Sequence, residues 1–178
     1  PFERVDKEAL TGDTIGSCAH SILSYVSGND EDLLRNVLFQ WNSVLKINRI
    51  NQCHIHLQIL MDDSNLLKRC SGLATQMAVT LQCVLLDGWV TLSKYATLLQ
   101  TLQNSRGPVL WLPCRTWMFE DPFLALREAI AQSQAGMYVC NRWQSYSLSS
   151  ELILAFPGCE QLLSEVIGSL FANPLLHG

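Results

Sequence analysis

The chain has 178 residues, 48% of them hydrophobic and 16% charged, which suits one domain with a sizeable core and excludes a solvated, disordered segment. A net charge of −4, with 12 Lys and Arg that form no cluster, excludes wholesale binding to a nucleic-acid backbone. No run approaches the roughly 20 apolar residues that span a bilayer, and the acidic opening PFERVDKEALTGD has no secretory h-region.

Ile15, Ala19, Ile22, Leu23 and Val26 fall at helical spacing between Thr14, an N-cap residue type, and Gly28, so the spacing predicts a helix over residues 15–26. A second helix follows in GNDEDLLRNVLFQWNSVLKIN. Its acids crowd the first turn, and Leu33, Leu34, Val37, Leu38, Trp41, Val44 and Leu45 form a broad apolar stripe. The period then falls to two in QCHIHLQILMDDS, where Cys53, Ile55, Leu57, Ile59 and Met61 alternate with Gln52, His54, His56 and Gln58. This is the pattern of a half-buried strand.

MAVTLQCVLL reads as a second strand, ended by the turn dipeptide Asp87-Gly88. Leu92, Tyr95, Ala96, Leu99 and Leu102 return to helical spacing, NSRGP breaks the chain, and VLWLP is a short strand. Asp121-Pro122 opens a helix that runs to Gly136. MYVCN is a further strand, RWQSYSLSSELILAF fits strand and helix equally, and Pro157-Gly158 precedes a last helix through Leu162, Leu163, Val166, Ile167 and Leu170.

Strands alternating with helices after residue 50 predict an α/β fold, with a sheet of four to five strands and packed helices, preceded by an N-terminal helical pair. A mainly α fold is the alternative. The whole of 1–178 is read as a single domain, and the lack of an initiator Met fits excision from a larger protein. Cys18, Cys53, Cys70, Cys83, Cys114, Cys140 and Cys159 are odd in number and lack CxxC pairing. They predict buried free thiols in a reducing compartment, hence an intracellular protein of the cytoplasm or nucleus.

Three groupings could carry chemistry. Asp62, Asp63 and Asp87 fall just past expected strand ends, where α/β sheets collect ligands, and could hold Mg²⁺. Asp62-x-Ser64 resembles the start of the DxSxS metal-adhesion pattern of von Willebrand A-type domains, although Leu66 stands at the second Ser position. The plainer reading makes Asp63, Ser64 and Asn65 a helix cap and Asp87-Gly88 a turn.

His54 and His56 share a strand face, as two zinc ligands or as two polar residues on its wetter side. Cys18, expected near a helix start, with His54 or His56 and Asp62 resembles in outline the nucleophile, base and orienter of papain-like cysteine hydrolases. No aromatic residue follows Cys18 and no Gln precedes it for an oxyanion hole. A packed core cysteine is the plainer reading. Neither a phosphate-binding GxxxxGK[ST] loop nor a GxSxG elbow is present.

The third grouping is the aromatic-rich second half. WLPCRTWMFEDPF brings Trp111, Trp117, Met118, Phe119 and Phe123 into an expected loop, and such side chains concentrate at protein interfaces. With no cofactor motif, the leading expectation is a non-catalytic protein-interaction or scaffold domain. It would need no cofactor, would bind a protein partner as part of a homo- or hetero-oligomer, and would bind no nucleic acid and span no membrane.

Overall fold

The computed structural model describes residues 19–50, 54–86, 88–105, 107–116, 123, 137–140 and 152–173. It bears out the α/β class. Six strands, β1 (Ala19–Val26), β2 (His54–Met61), β3 (Gln82–Leu85), β4 (Val109–Trp111), β5 (Met137–Cys140) and β6 (Leu152–Ala155), form one sheet in the order β3-β2-β1-β4-β6-β5. The first four run parallel; β6 is antiparallel to both β4 and β5.

The helices are α1 (Glu31–Ile50), α2 (Ser64–Gln76), α3 (Val90–Asn104) and α4 (Glu160–Ala172). One core unites α1 and α2 residues such as Leu34, Leu38, Trp41 and Leu66 with Ile22, Val26, Leu57 and Ile59 of the sheet. The other packs Tyr95, Leu98 and Leu102 of α3 and Leu163 and Leu170 of α4 on Leu23, Leu60, Val109 and Trp111. Layers of helix thus cover both faces, as a parallel sheet requires.

The expected N-terminal helical pair is corrected: its first member is strand from Ala19 onward, and only α1 is a helix. The reason is burial on both sides. β1 lies between β2 and β4, so Ile22 and Val26 face α1 and α2 while Leu23 faces α3 and α4, all fully buried. Apolar residues at i, i+1 and i+4 then imitate a helical stripe. Each such side chain removed from water contributes about 1.5–3 kcal/mol, which overrides local propensity.

The strand expected over 77–86 is shorter than its apolar run. Ala78 adopts φ +54° in the turn that closes α2, and pairing with β2 starts only at Gln82. The free-thiol expectation is also corrected in part. Cys70 on α2 and Cys83 on β3 are joined by a disulfide, their Cα atoms 6.4 Å apart, which ties helix to edge strand. Cys114 and Cys159 are free thiols. No helix among the described residues is long and apolar enough to cross a membrane.

Candidate functional site

Connectivity selects the place where a ligand can enter. From β1 the chain winds to one side through β2 and β3, then crosses back so that β4 lies on the other side of β1. At such a reversal the loops leaving the two central strands diverge, and a crevice opens outside their carboxyl ends. A cleft of about 370 Å³ lies there, lined by Asp30, Asp32, Leu33, Asn36 and Gln40, which follow β1, and by Cys114 and Arg115, which follow β4. Its volume lies at the lower end of the range of about 300–1,000 Å³ typical of small-molecule sites.

The loop from β1 into α1 is fixed from two sides. Asp62, at the end of β2, accepts hydrogen bonds from the Tyr25 hydroxyl and the Gly28 backbone N–H, each at 2.6 Å. Gly28 has φ +65°, the left-handed turn that glycine allows without strain. Burial, reinforced by the hydrogen bond to Asp62 and by its charge, raises the Tyr25 pKa well above that of an ordinary phenol. From α2, Arg69 forms an ion pair with Glu31 at 2.6 Å and donates to the side-chain oxygen of Asn29. The guanidinium of Arg35, one helical turn on, holds the Glu31 carboxyl below its usual range.

Asp30 caps α1: its carboxylate accepts from the Leu33 N–H at 2.8 Å. The helix start therefore already has its anion. Asp32, Asn36 and Gln40 follow at four-residue spacing and so line one face of α1 along the cleft. Gln40 is only 6% exposed, yet its carboxamide makes no hydrogen bond among the described residues.

Across the cleft, the Arg115 guanidinium forms no ion pair among the described residues. Burial pushes the Cys114 thiol up, against the opposing pull of Arg115 and with the carboxylate of Asp30 adding to the rise. That thiol is therefore protonated at neutral pH and poorly suited to nucleophilic attack. What the cleft offers instead is hydrogen bonding: two carboxamides, two exposed carboxylates of which Asp30 is the α1 cap, and a guanidinium at the side formed by β4.

The residues singled out in the sequence scatter over the fold. Asp63 is the α2 N-cap, accepting from Asn65 N–H at 2.9 Å and Leu66 N–H at 2.8 Å, and both oxygens of Asp62 serve the β1–α1 loop. Asp87 lies outside the described residues. Among the described residues no three His, Cys, Asp or Glu side chains converge as a metal site.

His56 is exposed on β2, five residues or roughly 17 Å before the strand's carboxyl end, and so on the edge opposite the cleft. The side chain of His54 and all of Cys18 lie outside the described residues. The helix expected to activate Cys18 gives way to β1 at Ala19.

Of the expected interface residues, Trp111 is 2% exposed and Phe123 7% exposed. The Lys94 ammonium sits 5.4 Å from the centre of the Trp111 ring, and the Phe123 ring is 4.2 Å from that of His20. Both aromatic residues are therefore core. Trp117, Met118 and Phe119 lie outside the described residues. The cleft residues had one sequence signal: Gln40 falls at the edge of the α1 apolar stripe, beside Leu33, Val37 and Val44, where a further apolar residue would have been unremarkable.

No protein-family model and no curated protein matches the sequence. Solved structures do match the fold. The glycosyltransferase GlyE of Streptococcus pneumoniae TIGR4 superposes with a TM-score of 0.52 at 12% identity, over 88% of this chain and 38% of its own length. A Desulfovibrio desulfuricans G20 protein described as a nucleotide-diphospho-sugar transferase gives 0.54 at 9% identity, over 81% and 67%. The 4-diphosphocytidyl-2C-methyl-D-erythritol synthase of Anaerococcus prevotii DSM 20548 gives 0.57 at 10%, over 89% and 78%.

At such identities the likeness establishes the fold alone, and the chain spans well under half the length of GlyE. The fold is nevertheless one that transferases carry. It corrects the expectation of a non-catalytic interaction or scaffold domain, which rested on missing motifs and on an aromatic-rich loop whose described members, Trp111 and Phe123, are buried.

Proposed function

We propose that this chain is a glycosyl- or nucleotidyltransferase domain that binds a nucleotide-diphospho-sugar in the crevice between the carboxyl ends of β1 and β4. The observation that carries the reading is the cleft itself, which occupies the switch point of a fold shared with such transferases. Arg115 would take the diphosphate at the cleft's β4 side, where a planar guanidinium can pair two phosphate oxygens at once. As the bond to the diphosphate breaks, negative charge builds on the leaving oxygen, and a cation already in place lowers the barrier.

The Asp62–Tyr25–Gly28 bonds hold the β1–α1 loop ready, so less ordering is needed when the ligand arrives. Coverage of 89% of the chain by one fold supports reading 1–178 as one domain. For the compartment, the Cys70–Cys83 bond favours one that sustains disulfides over the cytoplasm or nucleus.

Thermal denaturation with UDP-, GDP-, CDP- and ADP-glucose tests the reading. A ligand at a hundredfold excess over its dissociation constant stabilises the protein by about 2.7 kcal/mol. The response to one member of the panel, lost in Arg115→Ala, is the expected result. No response to any member, nor to the free nucleoside diphosphates, would refute it.

A further inference from the structure

We infer that the α1 side of the cleft, with Asn36 and Gln40 at its centre, is a subsite for a neutral, polyhydroxylated sugar ring. The inference rests on the transferase reading and names the part of the ligand that this wall would recognise.

It starts from Gln40. The residue is only 6% exposed, lines the cleft, and has no hydrogen-bond partner among the described residues. Its carboxamide nitrogen and oxygen are not among the fully buried unpaired polar atoms, so they reach the cleft and are open to pair with a ligand's polar atoms there. Asn36 lies one helical turn away on the same face, and Asp32 one turn further. The three side chains span about 12 Å of helix at 1.5 Å per residue.

The chemistry of this wall fits hydroxyls. A carboxamide offers one acceptor oxygen and two N–H donors, and a hydroxyl is donor and acceptor at once, so each can pair with the other in either sense. Asp32, acceptor only, suits a hydroxyl donor. A phosphate is disfavoured on this wall, because its only charged side chains are the acids Asp30 and Asp32 and the cation lies across the cleft at Arg115. A nucleobase is disfavoured too: its flat faces call for a ring to stack on, and the apolar lining is confined to Leu33 and the Cys114 thiol.

The sugar could be that of the nucleotide-diphospho-sugar or a separate saccharide acceptor, and direct binding measurements distinguish them. Titrate wild type, Gln40→Leu and Asn36→Ala calorimetrically with the glucose nucleotide that stabilises best, with its nucleoside diphosphate, and with free glucose, xylose, maltose and lactose. Melting curves check that each variant is folded; Asn36 is exposed, so its variant tests the wall even where Gln40→Leu perturbs packing.

If the donor sugar occupies the subsite, wild type binds the sugar nucleotide more tightly than the diphosphate, and the variants shrink that margin about tenfold, the loss of one good hydrogen bond to a ligand. If an acceptor occupies it, a free saccharide binds and each variant weakens it by a similar factor. Nucleotide binding with no preference for the sugar, no saccharide binding and no effect of either variant would overturn this inference while leaving the transferase reading intact. Binding of neither nucleotides nor saccharides would overturn both.

Discussion

Replacing Asp62 with Ala removes two hydrogen bonds at once, those from the Tyr25 hydroxyl and the Gly28 N–H, both at 2.6 Å to a carboxylate. Hydrogen bonds to a charged group contribute about 1.5–3 kcal/mol when sheltered. Asp62 is exposed, and solvent screening lowers the figure to about 1 kcal/mol each. The loss of about 2 kcal/mol should lower the melting temperature by about 4–8 °C in a chain of this length.

Tyr25→Phe deletes one of the two bonds and should cost about half as much. Because both substitutions remove that same bond, the double variant should be little less stable than Asp62→Ala alone. Urea denaturation of the four proteins measures this cycle. Additive single effects, or a melting temperature for Asp62→Ala within about 1 °C of wild type, would refute the claim that Asp62 fastens the loop.

Alkaline titration probes the same contact. The Tyr25 pKa is raised in the folded state, so its stabilising effect is complete below the ordinary phenol value of about 10 and is lost as pH rises through the folded value. Stability should therefore fall above about pH 10, and less steeply in Tyr25→Phe; parallel profiles would contradict the assignment. Reducing Cys70–Cys83, which spans 13 residues, should cost about 3 kcal/mol by loop-closure entropy and visibly lower the melting temperature; an unchanged value would argue against the bond. Asp63→Ala should destabilise the fold by about 1 kcal/mol through loss of the α2 cap, with Asp63→Asn recovering most of it. Cys114 should react with iodoacetamide more slowly at pH 8 than free cysteine, because burial raises its pKa; faster reaction would reinstate a thiolate in the cleft.

Legibility in the sequence followed how each segment meets solvent. β2 was plain because Ile55, Leu57 and Ile59 are buried while His56 is exposed, which stamps a period of two on the chain. β1 has no such contrast, since even Ser21 and Ser24 are buried, with 3% and 1% exposure, and the Ser24 hydroxyl donates to the Leu112 carbonyl of the chain beyond β4. α1, α3 and α4 each keep a wet face, and their helical spacing was correspondingly readable. Asp63 was read both as a possible metal ligand and as a cap, and only the positions of the Asn65 and Leu66 N–H groups distinguish the two.

The cleft was hidden for a different reason. Its residues come from two segments more than 70 positions apart in the sequence, and only the strand order brings Gln40 opposite Arg115. Sequence spacing exposes a site made by one element; it does not expose one made by the divergence of two.

The placement of β6 bears on the order in which the sheet can assemble. β5 is synthesised first but among the described residues pairs only with β6, which itself occupies the position beside β4. A nascent chain released as far as residue 116 already holds four strands in neighbouring places, whereas β5 has, among the described residues, no strand to join until residues 152–155 emerge. Contacts close in sequence form sooner than those that must close long loops. By that measure β5 and β6, paired between Met137–Cys140 and Leu152–Ala155, are the most local pair of the sheet, and β1 with β4, paired from Ser21 to Val109, the most distant. β5 and β6 are thus expected to form as a unit of their own that docks on β4 afterwards, and a released chain truncated before residue 152 should show a protease-sensitive β5 beside a protected β1–β2 core.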